Sequence, residues 1–292
     1  MTSTPPRPAA HPQVVVGVDP AAPQLPALTW AADEAARRCL PLRLVVSVPP
    51  LHDTQHVDTV PHYMSLQAQG DKALVQAAAT AGALHPGLTT VTELADGVPA
   101  AVLCRRAEQH GGLVVVGSRR LGRAAELFSA SSVALPVSAR AGCPVVVVPD
   151  TGPATDAARF VVGVDGSDGA RSALAFAFQE AGLRQAEVLA VWAWRQPLVR
   201  LGDDTEGLAE RQRFLAEAVA GHREAYPDVP LSTKVVRGHP VEELGRLSAA
   251  ARAVVVGRRG RGGWTGMRIG SVAHGLLHRA ESTVIVVPER VR

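Results

Sequence analysis

Phe160-Val161-Val162-Gly163-Val164-Asp165 repeats, with one change, the stretch Val14-Val15-Val16-Gly17-Val18-Asp19. Working outward from this pair, residues 113–117 (LVVVG) return at 253–257 (AVVVG), and 145–149 (VVVVP) return at 284–288 (VIVVP). Gly97-Val98-Pro99 matches Gly238-His239-Pro240. The offset drifts only from 146 to 139, so the halves are colinear copies with small differences in their loops. A chain of 292 residues is the right size for two such domains. We place them at residues 1–150 and 151–292, with residues 149–159, which contain Gly152 and Pro153, as the linker.

The apolar runs in each half are short, β-branched and continuous, as parallel strands buried on both faces require. In the second half the strands are predicted near 160–165, 187–193, 231–236, 253–257 and 283–287. Helices are predicted near 169–183, 205–225, 240–250 and 271–280. Five strands alternating with four helices imply an α/β fold, a doubly wound five-stranded parallel sheet in each of two tandem domains. Such sheets bind ligands beyond the carboxyl ends of the strands where the winding reverses, here the first and the fourth.

After the fourth strand of the second half comes Gly257-Arg258-Arg259-Gly260-Arg261-Gly262-Gly263-Trp264-Thr265-Gly266-Met267-Arg268-Ile269-Gly270-Ser271. Its glycines let backbone approach a ligand closely, and its four arginines add positive charge. The loop enters a helix at Ser271, whose hydroxyl and N–H groups suit either capping or phosphate binding. A surface turn with an ordinary helix cap is the competing reading.

Several classes are excluded or disfavoured. Lys72 and Lys234 are the only lysines, so no P-loop G-x-x-x-x-G-K-[ST] exists, and no G-x-G-x-x-G follows either first strand. No G-x-S-x-G elbow supports a hydrolase, and Trp192 and Trp194, at a strand end, read as packing residues. Cys39, Cys104 and Cys143 lie far apart in sequence without a C-x-x-C, which reads as buried or half-buried thiols of a reduced, cytoplasmic protein. Residues 1–12 read as a disordered tail rather than a signal peptide, and no apolar run is long enough to span a membrane. His52, Asp53, His56, Asp58 and His62 crowd one connection, where histidines four apart could share a metal on a helix. Pro49, Pro50 and Pro61 point to a loop there instead. The formal charge is +3, with 11 Lys and Arg against 11 Asp and Glu in residues 1–150 and 19 against 16 in the remainder. That excess, concentrated near the glycine loop, suits a small anion, and no nucleic acid partner is expected.

Gly257, Gly260, Gly270 and Ser271 together resemble the G-2x-G-9x-G-[ST] pattern of ATP-binding universal stress proteins. Val164-Asp165-Gly166-Ser167 at the first strand's end, Val272 after Ser271 and the closing apolar strand strengthen the resemblance, which spans nearly the whole chain. It implies the adenine nucleotide alpha hydrolase-like fold. It also implies that Val164, Asp165 and Gly166 line an ATP site, with Asp165 near the ribose or a phosphate-bound Mg²⁺. Ala193 would offer backbone groups to the adenine edge. Gly257 and Gly260 would lie against ribose and phosphates, while Gly270, Ser271 and Val272 would bind phosphate oxygens.

The first half departs from this pattern. Gly117 remains, but Arg120 replaces the second motif glycine, Ala130 or Ser131 the third, and Glu126 adds a carboxylate. Ser131 or Ser132 could still cap its helix. Pro20 follows Asp19 where Gly166 follows Asp165. One ATP per chain, in the second half, is therefore expected. The function implied is an ATP-dependent regulator in a stress or dormancy response with little or no catalysis, acting through a protein partner that the sequence does not name. The alternatives are a slow Mg-dependent ATP hydrolase and a nucleotide-free scaffold. The apolar final strands should pair within the chain as a pseudo-dimer, and a homodimer of chains is a further expectation.

Overall fold

The structure, a computed structural model, describes residues 12–21, 25–48, 59–118, 133–151, 157–194, 205–261 and 268–289. The chain divides into two compact units, Met1–Val116 with Ala141–Cys143 and Gly117–Arg140 with Pro144–Arg292.

The first unit holds β1 (Val14–Gly17), α1 (Leu25–Arg38), β2 (Leu42–Val48), α2 (Thr59–Leu84), β3 (Thr90–Asp96), α3 (Pro99–His110) and most of β4 (Leu113–Ser118). Strands β2 and β4 flank β1, and β3 lies outside β2, all parallel. Pro99 opens α3 at a position whose N–H needs no partner, and Gly111 closes it in the left-handed region at φ 58. Two expectations are corrected here. Pro61 does not mark a loop, because α2 already begins at Thr59 and Pro61 occupies its first turn, where proline fits. His62 is therefore helical, while His52, Asp53, His56 and Asp58, like Pro49 and Pro50, lie outside the described residues. Cys39 is exposed, not buried, because the chain turns there at φ 52 to leave α1. Cys104 and Cys143 are buried, and burial pushes the Cys143 thiol up to about 12, with Cys104 adding to the effect.

The second unit begins with α4 (Ala134–Arg140) and β5 (Val145–Pro149). It continues with β6 (Arg159–Gly163), α5 (Asp168–Arg184), β7 (Glu187–Trp194), α6 (Thr205–Ala225), β8 (Leu231–Arg237), α7 (Pro240–Ser248), β9 (Ala253–Gly257), α8 (Ser271–Arg279) and β10 (Thr283–Val287). Its strands run in the order β5-β10-β9-β6-β7-β8. All neighbours are parallel except β5, which pairs antiparallel with β10 through Val147↔Val284, Val146↔Ile285 and Val145↔Val286. The two apolar final strands thus cover each other, as their composition demands.

The core explains the continuous apolar runs. On one face of the sheet Val161, Val254, Val256, Val284 and Val286 pack against Leu244 of α7 and Ala273 and Leu276 of α8. Phe160, Leu174, Phe178 and Ile285 are buried as well. Glu180 is buried on α5, and Arg184 one turn later holds its carboxylate at 2.6 Å. The sheet winds outward from β6 and β9 in opposite directions, so their carboxyl ends form the topological switch point, where sheets of this kind bind ligands. No helix among the described residues is long and apolar enough to cross a membrane.

Candidate functional site

Both strands at the switch point end in polar or glycine-rich turns. The Val164 N–H still donates to the Val191 carbonyl at 2.8 Å, which continues the ladder with β7 for one residue beyond β6. The chain then turns at Gly166, whose φ of 79 is open to glycine at little cost. Ser167 caps α5, its hydroxyl accepting from the Ala170 N–H at 3.1 Å.

Asp165 stands at the centre of this turn. Its Oδ1 accepts from the Ser167 N–H at 3.0 Å and from the Ser167 hydroxyl at 2.6 Å. Its Oδ2 accepts from the Arg261 N–H at 2.8 Å, across 96 residues of sequence. The glycine loop after β9 is thereby tied to the turn after β6.

The loop glycines sit where side chains would collide. A Cβ on Gly260 would strike Asp165 Oδ2. A Cβ on Gly257 would come within 2.7 Å of Gly169 Cα, and one on Gly169 would strike the Arg259 carbonyl. Gly257 and Gly169 therefore form a backbone-to-backbone contact between the loop and the first turn of α5. The reading of the sequence missed Gly169 and gave Ser167 no role of its own. Its signal was a glycine inside a helix start, a place where glycine costs about 1 kcal/mol relative to alanine without such a contact.

Gly270 returns the far end of the loop to the same place, its N–H donating to the Arg258 carbonyl at 2.7 Å. Gly270 is the N-cap of α8, and no side chain among the described residues caps this helix. The capping alternative for Ser271 is corrected accordingly. Ser271 is the first helical residue and is exposed, one step too late in the chain to cap. The N–H groups of Ser271, Val272 and Ala273 belong to the first turn, which has no intrahelical acceptors, and the helix dipole adds positive potential there.

On the other side of β6, strand alternation orients β7. Val191 faces β6, through its bond from Val164, and the Trp194 carbonyl faces β8, accepting from the Gly238 N–H at 2.9 Å. The same alternation turns the backbone N–H and C=O of Ala193 toward the side where β6 has already ended. Trp192 packs against Phe214 with ring centroids 6.5 Å apart, and its ring edge lies 3.5 Å from where a Cβ on Gly166 would be. Trp194 lies under the Arg211 guanidinium at 4.1 Å.

The arginines have separate duties. Arg259 is held by Glu289 at 3.0 Å. The guanidinium of Arg261 lies against Gly166, 3.4 Å from its would-be Cβ. Burial, reinforced by Arg259, holds the Arg258 guanidinium below its usual range. Arg268 is exposed. Val164, Asp165, Gly166, Gly257 and Gly260 thus meet in one turn-and-loop contact, with Gly270, Ser271 and Val272 at the loop's return and Ala193 on the neighbouring strand. Residues 262–267 lie outside the described residues, as do Arg120, Glu126, Ala130, Ser131 and Ser132 of the first domain. Among the described residues no three His, Cys, Asp or Glu side chains are grouped as metal ligands.

The profile of the universal stress protein family matches the chain twice, over residues 12–149 and 157–288. The chain belongs to the universal stress protein family. A universal stress protein of Mycobacterium tuberculosis is 36% identical over 288 residues, which cover 94% of this chain and 96% of the relative. One from Mycolicibacterium smegmatis is 33% identical over 288 residues, covering 95% and 97%. The crystal structure of a universal stress protein from Archaeoglobus fulgidus superposes with a TM-score of 0.71 at 17% identity, over 96% of this chain and 97% of that one. That likeness extends the α/β fold of the universal stress proteins to both halves of the chain.

Proposed function

We propose that the second domain binds ATP and that the protein acts as a nucleotide-dependent regulator in a stress or dormancy response, with little or no catalysis. One observation carries this reading. At the carboxyl ends of β6 and β9, a loop seated by Asp165 and two glycine contacts leads into a helix N-terminus whose cap residue, Gly270, has no side chain. Free N–H groups at such a terminus suit phosphate oxygens. The backbone of Ala193, turned toward the side where β6 has ended, suits the hydrogen-bonding edge of adenine. Asp165 has both oxygens engaged by protein donors, which fits it poorly as a direct Mg²⁺ ligand. Any Mg²⁺ would accordingly be carried by the phosphates, with water completing its shell. The same engagement removes Asp165 as a base for activating water, which supports slow turnover or none. Regulation would then pass through loop conformation to a protein partner.

The direct test is to purify the protein without added nucleotide, denature it by heat, and identify any released nucleotide by chromatography. An adenine nucleotide near one per chain is expected. Protein that releases none, and that also fails to bind added ATP at millimolar concentration, contradicts the reading.

A further inference from the structure

We infer that Asp165 is a positioning residue, a latch that seats the glycine loop before any nucleotide arrives, and that the second motif glycine exists chiefly to make room for its carboxylate. The inference deepens the reading of the proposed ATP site: it concerns what holds the loop rather than what the loop binds.

Three observations carry it. First, both oxygens of Asp165 receive N–H donors, from Ser167 on one side and Arg261 on the other. Only an acceptor-only group satisfies both sides. An asparagine in its place would turn its NH₂ toward one of those N–H groups. Second, Gly260 lies so close to Oδ2 that a Cβ there would push the carboxylate off the Arg261 N–H, so this glycine is matched to Asp165 rather than to open space. Third, Gly257 and Gly169 bring the loop backbone onto the first turn of α5, and Ser167 links the two features by donating to Asp165 while capping that helix. A chain of bonds therefore runs from the loop through Asp165 and Ser167 into α5.

The first domain shows what travels with the latch. By the 146-residue offset, Ala21 stands for Ser167 and Pro23 for Gly169, while Arg120 replaces the second motif glycine. The Asp19 turn keeps the bond from the Ala21 N–H to Oδ1 at 2.9 Å, but residue 21 has no hydroxyl to match that of Ser167. Partners on both sides of the latch have changed together, as expected of one device.

The experiment follows amide hydrogen exchange of residues 257–261 in the full chain, free of nucleotide, in the wild type and in Asp165→Ala, Asp165→Asn and Gly260→Ala. Circular dichroism confirms that each variant is folded, and Gly260→Ala keeps the carboxylate should Asp165→Ala not fold. The wild-type Arg261 amide is expected to be protected. Protection should fall about tenfold or more in Asp165→Ala and Gly260→Ala, with Asp165→Asn between them and the wild type. ATP affinity is then measured with Mg²⁺ and with EDTA. A positioning role predicts the same fold-loss under both conditions. Unchanged loop exchange in Asp165→Ala and Gly260→Ala, or a loss of affinity confined to Mg²⁺, overturns the latch. Neither outcome bears on whether the protein binds ATP, because the exchange arm contains none and the affinity arm compares losses.

Discussion

The turn after β1 and the turn after β6 start from the same backbone. Val18 donates to Val45 and Val164 to Val191, each at 2.8 Å, and each aspartate then accepts an N–H from two residues on, at 2.9 and 3.0 Å. From there the two diverge. In the second domain Gly166, Ser167 and Gly169 admit a loop to within backbone contact. In the first, Pro20, Ala21 and Pro23 occupy the corresponding places. Proline has no N–H and a fixed φ near −65°, so Pro20 cannot take the φ of 79 found at Gly166. The scaffold of a duplicated domain is thus retained by its buried valines, while the site depends on a few small residues that nothing in the core protects.

That comparison can be broken most forcefully by copying the first domain into the second. Gly260→Arg places a long side chain against the Asp165 carboxylate and displaces the loop. The expected loss of ATP affinity is at least about a hundredfold, the weight of two or more lost hydrogen bonds to charged phosphate. The fold should survive, because Gly260 is exposed. Calorimetry together with a melting curve checks both parts, and affinity within threefold of the wild type would remove the loop from the site.

A smaller effect separates the loop from the helix it enters. Ser271→Ala leaves the backbone N–H groups of α8 in place and removes one hydroxyl. Since that hydroxyl does not cap the helix, stability should hardly change. ATP affinity should fall by about 1 kcal/mol, roughly fivefold, for one hydrogen bond. A drop in melting temperature as large as the drop in affinity would assign Ser271 a structural role instead.

The smallest expected effect sharpens the comparison from the other side. Arg120→Gly restores the missing motif glycine of the first domain, yet Ala21 and Pro23 remain. No second ATP should appear in equilibrium dialysis of the Arg120→Gly protein. A second equivalent of bound ATP would show that the glycine alone decides binding.

The second domain's framework was largely legible in sequence, because buried strands write themselves as valine runs. Strands β9 and β10 fall at the expected residues, while β6 stops at Gly163 rather than 165 and α7 stops at Ser248 rather than 250. The motif residues were legible by their spacing, and the structure gathers them at the switch point. What they touch was not. Arg261 and Asp165 are 96 residues apart, and Gly257 meets Gly169 only once β9 and α5 are packed. No local pattern announces a glycine whose neighbour is a distant carboxylate. Pro61 misled for the opposite reason, since proline breaks a helix interior but suits a first turn, and sequence alone did not mark where α2 begins. Cys39 was likewise read from a helical stretch that in fact ends one residue earlier.

Two copies of one scaffold have parted in sequence, and the proposed function leaves a single nucleotide site, in the second. The most direct measurement is the stoichiometry of ATP binding to the full chain by isothermal titration calorimetry, paired with the same titration of Gly260→Arg. One site per wild-type chain and none in the variant is the predicted result. Two equivalent sites per chain, or one site that persists in Gly260→Arg, would contradict the account.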